Sequence, residues 1–496
     1  MKETMTRMTR RALLGRGAAL GGLAMLGSPS MLFAQASGRA VAESAGPLDE
    51  LEARLRGELI TPDDPAYDSV RQVWNGMVDK RPAAVARCTG VADVIDVVKY
   101  ARRHGVPASV RGGGHNVAGK ALKDDAITID LGPMNTVRVD PAARRARAGG
   151  GALWGTFDHE TAAFGLYSTG GTVSTAGIGG LTLGGGLCGL MRNHGLACES
   201  LVSADVVTAD GEFLVASADQ NPDLFWALRG GGGNFGVVTS FEFALHPVEP
   251  VIGGMALYPQ ARLRELLEFY RDYTSELPNA VTTMAGALNG PPGTPLEGQA
   301  AGFIAVCHAG PTERGESLLK PIRDFGEPAL GGIGPMSYLA QQGMFEAAGA
   351  TGNRHYWRSN FLARLPDGVI DRIVEQAEDG LRGPGTLVLL EHMGGAIRDL
   401  GDHDTAFSNR GAEHNVSILA GWPDAADDAE NIRWTRAFGD ALKVHATGAG
   451  YVNYMTDDET AARVQATYRA NLDRLIDVKR KYDPTNFFNA NQNIVP

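Results

Sequence analysis

The stretch "RGGGHNVAG", residues 111–119, places three glycines between an apolar run and a histidine. Consecutive glycines reach backbone angles closed to other residues and let main-chain amides approach a ligand closely. His115 then stands where such a ligand would lie. Either the histidine is a passive member of a turn, or it touches what the glycines were cleared to admit.

The flanking sequence sets this loop in a mixed fold. "VADVIDVVKYARRHG" (91–105) repeats apolar residues at Val91, Val94, Val97, Val98 and Ala101, the spacing of an amphipathic helix, with Gly105 as its stop. "VPASV" reads as the strand that ends at the glycine loop, and "AITIDL", "TVRVD" and "RRARAGG" as further short strands. A helix is expected over "ALWGTFDHETAAFG", and a hairpin around Asp210-Gly211. Residues 37–80 read as a linker into a helical start. From 248 to 444 helices ("RLRELLEFYRDYTSEL", "DGVIDRIVEQAEDG") alternate with strands ("GFIAVCHAG", "TLVLLEHMGG", "NVSILAGW"), as in an inserted α/β substrate domain. The tail after Glu459 is expected to be one long helix, an Asp-Pro turn and an extended end.

The chain has 496 residues, 65 of them glycine, enough for two domains with real cores. Residues 1–36 have a basic start, a short apolar run and a small-residue exit, and Arg10-Arg11 resembles a twin-arginine export signal. Cleavage is expected after Ala36, at Ala34-Gln35-Ala36, and would deliver a folded protein to the periplasm or outside through the twin-arginine machinery. The run is too short and Gly-rich to span a bilayer comfortably, so no membrane association is expected after cleavage. Net charge is −11, and −15 without residues 1–36, which carry five basic side chains and one acidic. That balance argues against a nucleic-acid partner. Cys88, Cys188, Cys198 and Cys307 show no metal-ligand spacing, and "GDHDT" (401–405) reads as a solvated turn, so no metal is expected. A Cys188–Cys198 bridge competes with four buried thiols.

Glycine-rich pieces alone are weak signals. "RGGGGNFG" precedes a strand instead of opening a helix, which excludes a Rossmann site, and "GLTLGGGLCG" lacks the Lys-Ser/Thr of a P-loop. Together, however, "VRGGGHNVAGKAL", "GGTVSTAGIGGLTLGGGLCGLMRNHGL", "DLFWALRGGGGNFGVVTSFEF", "YVNY" and "VKRKYDPTNFFNANQNI" stand in a distinctive order and spacing. From about residue 70 to the C-terminus the chain resembles the berberine-bridge-enzyme-like FAD-linked oxidases, of the vanillyl-alcohol-oxidase/PCMH-type fold. The resemblance implies an α+β protein whose FAD-binding domain is split, 37–247 and 445–496, around a substrate domain at 248–444.

It further implies that His115 carries a covalent bond to the 8α-methyl of FAD. Arg111, Gly112, Gly113, Gly114, Asn116, Val117 and Gly119 would form the loop around the pyrophosphate, consistent with an anion-binding nest of backbone amides. Gly171, Thr172, Thr175, Gly177, Gly180, Leu181, Val238, Asn453 and Asn491 would complete the cofactor site. Many relatives add a cysteinyl link. Aligning "VSTAGIGGL" places Val173 where that Cys belongs and Leu181 where a later His sits, so a single link is expected. Ala176 falls near the position that influences oxygen access.

In "GYVNYM", Tyr451 and Tyr454 match a Y-x-N-Y pattern in which a tyrosine over the flavin acts as base toward the substrate. A phenol does this at neutral pH only when cations or hydrogen bonds lower its pKa. Otherwise it is an aromatic wall. Glu391 and His392, adjacent on a strand, point oppositely, so at most one reaches the cavity. The activity implied is hydride transfer from an alcohol, sugar or amine carbon of a small molecule to FAD, and then to O2. A dehydrogenase with another acceptor and a flavin-bearing binding protein are the rivals.

Overall fold

A computed structural model describes residues 48–248 and 250–496; the expected export signal lies outside the described residues. The helix Val91–His104 forms as its periodicity predicts. Val94, Val97, Val98 and Ala101 are buried, and Gly105 takes a φ of +65° that closes the C-terminus. It covers a four-stranded sheet ordered Glu58–Ile60, Ala84–Arg87, Ile127–Asp130, Ala108–Arg111, whose last three strands are parallel. The sheet therefore delivers residues 112–116 from the C-terminal end of a parallel strand, where loops gather around ligands in open α/β sheets.

A five-stranded antiparallel sheet follows, ordered Val137–Asp140, Arg145–Gly149, Val237–Ala244, Leu201–Val207, Phe213–Ser217. Its last two strands are the predicted hairpin, with Gly211 at φ +72°. The expected helix appears as Trp154–Ala162.

The third layer is a seven-stranded antiparallel sheet built from residues 251–422. Its order is Leu330–Met336, Val251–Pro259, Ala300–His308, Val281–Asn289, Leu387–His392, His414–Trp422, Arg354–Leu362. One face packs under Leu263–Thr274, Asp367–Glu378 and Asp428–Lys443, burying Leu266, Ile304, Ile370, Val388, Ile418 and Phe438. The other carries Met284, Phe303, Leu387 and Leu389. Because side chains alternate along a strand, this second face is free to wall a cavity.

Two expectations need correction. Residues 48–80 are no mere linker: Leu48–Glu52 is helical and Glu58–Ile60 joins the first sheet. The tail helix is broken into Ala461–Tyr468 and Leu472–Tyr482, with Arg469 at φ +47°. At the break Asn471 turns inward and donates to Asp402 O (2.7 Å), Thr405 O (3.1 Å) and Ser408 Oγ (3.0 Å). Of the two cysteine readings, the buried thiols are found. All four cysteines are free and buried, and Cys188 Sγ accepts the Gly170 amide at 3.2 Å.

The end of the chain is anchored by a fully buried ion pair. Lys479 Nζ reaches Asp483 Oδ2 at 2.7 Å and also donates to Asn234 O and Phe488 O. Asp483 in turn accepts the amides of Phe487 and Phe488. Removing one partner of such a pair strands the other's charge. Lys479→Met should therefore lower unfolding stability by ~3–5 kcal/mol in a denaturant titration.

Candidate functional site

The glycine loop begins where Arg111 ends its strand. The Arg111 guanidinium is held by Asp130 (Nε to Oδ1 3.0 Å, Nη2 to Oδ2 2.7 Å) and by the Val70 carbonyl. It shapes the loop from behind and does not line the cavity. Gly113 and Gly177 then pass back to back: a Cβ on Gly113 would fall 2.4 Å from the Gly177 nitrogen, and one on Gly177 2.3 Å from the Gly113 nitrogen. Gly114 at φ +69° turns the chain so that His115 faces inward.

His115 is half-buried, with Nε2 2.8 Å from Thr175 Oγ1 and its ring stacked on Trp74 at 5.0 Å. Burial pulls its pKa down to about 4, so the imidazole is neutral at pH 7 and keeps a nucleophilic lone pair.

A cavity of about 310 Å³ opens at this loop. Gly112, Gly113, Gly114, His115 and Asn116 line it from one side, and Thr172, Gly177, Gly180 and Leu181 from another. Asn453 and Asn491 reach it from the C-terminal return. A Cβ on Gly180 or Gly233 would meet nothing within 4 Å, so bare backbone faces open space there. Asn491 Oδ1 is buried without a partner. Bare amides, an orphaned acceptor and a neutral histidine fit the phosphates and ring of FAD.

The other predicted cofactor residues stand one layer back. Val117 and Gly119 complete the turn, the former accepting from Asn75, the latter at φ +64° against Val78. Gly171 O accepts from Gln342, and Thr175 supports His115. Val238 is buried in the strand Val237–Ala244, paired with Val206.

The opposite wall is the free face of the seven-stranded sheet. Leu387, Leu389 and Glu391 alternate into the cavity beside Met284, Phe345 and Leu419. Glu391 is 2% exposed; its Oε1 accepts from Tyr454 Oη at 3.1 Å and its Oε2 from Asn415 Nδ2 at 2.6 Å. Burial outweighs both bonds and pushes its pKa up to about 7. His392 points away, bonded to Thr283 Oγ1 (3.3 Å) and Arg192 (3.1 Å) in the helix-covered face. Of the adjacent pair, only Glu391 reaches the cavity.

Both tyrosines stand where the neutral phenol is favoured. Burial, then the Glu391 charge, holds the Tyr454 phenol well above the ordinary 10. Burial also raises the Tyr451 pKa; its Oη accepts from the Gly186 amide and Asn453 Nδ2, both at 2.8 Å. Among the described residues no cation hydrogen-bonds to either phenol, and a tyrosine base would need its pKa lowered.

Trp74, Trp357, Asn415 and the leucine wall escaped the sequence reading. Trp74 sits in a stretch with no periodicity. Leu387 and Leu389 alternate with equally apolar Val388 and Leu390, so nothing in the pattern marks the cavity face.

Comparison with known proteins agrees with this construction. The family described as FAD binding domain matches residues 82–217, and the one described as berberine and berberine like matches 450–495. An (R)-6-hydroxynicotine oxidase of Paenarthrobacter nicotinovorans is 32% identical over 464 residues, 89% of this chain and 97% of that protein. An FAD-linked oxidoreductase of Dictyostelium discoideum is 29% identical, covering 86% and 92%. The crystal structure of 6-hydroxy-D-nicotine oxidase from Arthrobacter nicotinovorans superposes with a TM-score of 0.81 at 31% identity, over 89% of this chain and 98% of that one. A chitooligosaccharide oxidase shares the fold at 22% identity and a TM-score of 0.79, over 90% of this chain and 99% of that one. A glycine loop with a neutral histidine, a C-terminal return that closes the cavity, and relatives matched over nearly their whole length converge: the chain belongs to the berberine-bridge-like FAD-linked oxidoreductases.

Proposed function

We propose that the protein oxidises a compact, largely apolar amine or alcohol at the carbon bearing the N–H or O–H group, with dioxygen as final acceptor. The observation that carries this reading is Glu391, a lone carboxylate hydrogen-bonded to Tyr454 in an otherwise apolar wall. An oligosaccharide would need many hydrogen-bond partners where Met284, Phe345, Leu387, Leu389 and Leu419 stand. The similarity to a hydroxynicotine oxidase supports the same choice.

FAD, when bound, supplies the two-electron acceptor and the route to oxygen. The chain's own residues bind, orient and move a proton. Glu391, with a pKa near neutrality, takes the substrate N–H or O–H proton on its carboxylate. Tyr454, a neutral phenol, donates to Oε1 and fixes that oxygen's direction. The leucine wall and Trp357 exclude water.

In this reading residues 37–247 and 445–496 hold the cofactor and 248–444 the substrate. The cofactor is tied through His115 alone, since Val173 lines the cavity where a cysteinyl link would arise and Cys188 is buried elsewhere. The twin-arginine motif at Arg10-Arg11 exports the folded protein to the periplasm.

Three results are expected. After anaerobic bleaching has identified a substrate from a panel of apolar amines, alcohols and sugars, Glu391→Gln should slow flavin reduction ~10²–10⁴-fold. In the wild type the rate should rise with pH through about 7, because below it Glu391 is protonated and cannot accept; Glu391→Gln should abolish that limb. A wild-type rate in Glu391→Gln would refute the assignment. Second, acid-precipitated wild type should stay yellow, whereas His115→Ala should release its flavin; recovery of a cysteinyl–flavin peptide would contradict the single link. Third, with Arg10 and Arg11 both changed to Lys, fractionation should find the precursor folded and flavin-loaded in the cytoplasm.

A further inference from the structure

We propose that Trp74 is the positioning residue for covalent attachment of the flavin, holding the His115 imidazole in the plane from which it reacts. The inference rests on the His115 linkage reading above, and three observations carry it. The Trp74 indole stacks on His115 at 5.0 Å and 20° between planes, and on His355 at 3.9 Å and 15°. The indole is itself immobilised: Nε1 donates to Gly349 O at 2.8 Å, and the edge of Trp357 closes on it at 5.3 Å. The Trp74 backbone is tied to the glycine loop beside the histidine, its amide donating to Gly114 O at 3.2 Å.

Thr175 holds Nε2 of the imidazole by one hydrogen bond, which leaves the ring some freedom to tilt about Cβ–Cγ. The stack removes that freedom, as offset ring pairs prefer near-parallel planes. Attachment needs this order. It forms a bond from an imidazole nitrogen to the 8α carbon and breaks one C–H there. One proton leaves that carbon and one leaves the imidazole. The two electrons stay on the cofactor ring until dioxygen accepts them as hydrogen peroxide. An attacking lone pair must point at the carbon, and misplacement by about 1 Å can cost ~10²-fold. His355 and Trp357 lie on the strand Arg354–Leu362 of the seven-stranded sheet, so attachment would depend on that sheet being docked.

The test uses the full chain, produced under riboflavin limitation and then incubated with saturating FAD. Covalent flavin is followed as fluorescence retained in denaturing gels and normalised to total bound flavin. Trp74→Leu should bind FAD yet incorporate it covalently at least ~10-fold more slowly, and Trp74→Phe, which keeps a stacking ring, should recover to within ~3-fold of wild type. His355→Leu, which leaves the indole in place but removes its neighbour, should be intermediate, and it carries the test if Trp74→Leu does not fold. Wild-type incorporation rates in Trp74→Leu, or in His355→Leu where that variant stands in for it, overturn the proposal. So does equal slowing in Trp74→Phe and Trp74→Leu. No covalent flavin in the wild type would instead overturn the His115 linkage reading, independently of Trp74.

Discussion

Two segments of main chain, at Gly113 and at Gly177, approach so closely that neither position tolerates a side chain. The first leaves the end of a parallel strand, and the second opens the helix Ile178–Gly184. Their contact holds the first sheet against the segment that supplies Gly180 and Leu181, and it sets the floor of the cavity. A Cβ at either position would fall 2.3–2.4 Å from the other's backbone nitrogen, so the two segments would have to separate. Glycine is required here for close approach, whereas at Gly114 it is required for φ, and the one loop uses both properties.

The cavity above that floor is chemically two-sided. Its glycine side offers backbone amides and a histidine kept neutral by desolvation. Its sheet side offers apolar side chains and a single carboxylate. The same burial acts in opposite directions on the two titratable groups, lowering His115 to about 4 and raising Glu391 to about 7. The Glu391 shift corresponds to roughly 3 kcal/mol disfavouring its charge, at 1.36 kcal/mol per unit. Asn415 and Tyr454 offset part of the desolvation, and the result is a carboxylate poised near neutrality, where a general base is most effective.

Closure of the cavity depends on chain that is remote in sequence. Asn453 donates to Leu181 O at 3.0 Å and to Tyr451 Oη, joining the return segment to the glycine-rich helix. Asn491 donates to Gly233 O at 2.9 Å. These contacts need the last residues to be held in place, and the Lys479–Asp483 pair, with its bonds to Asn234 and to the Phe487 and Phe488 amides, does this. A buried ion pair contributes little net stability against an apolar substitute, but it specifies one geometry.

Local chemistry was readable from residue order. The glycine loop before His115, the helix ending at Gly105 and the hairpin at Asp210-Gly211 each depend on neighbours within a few positions, so pattern and local structure agree. Which of Glu391 and His392 faces the cavity was also bounded by strand alternation, though not its direction. The rest depended on long-range packing. Trp74 meets His115 because separate segments converge, the Arg469 break follows from where Asn471 finds carbonyls, and the tyrosine pKa values follow from burial with no cation bonded to the phenols. Composition and periodicity carry no record of how deeply a group lies or what stands opposite it. Desolvation and cross-segment contact, which set the surroundings of Tyr454 and Glu391, exist only once the sheet, the glycine loop and the C-terminal return have come together.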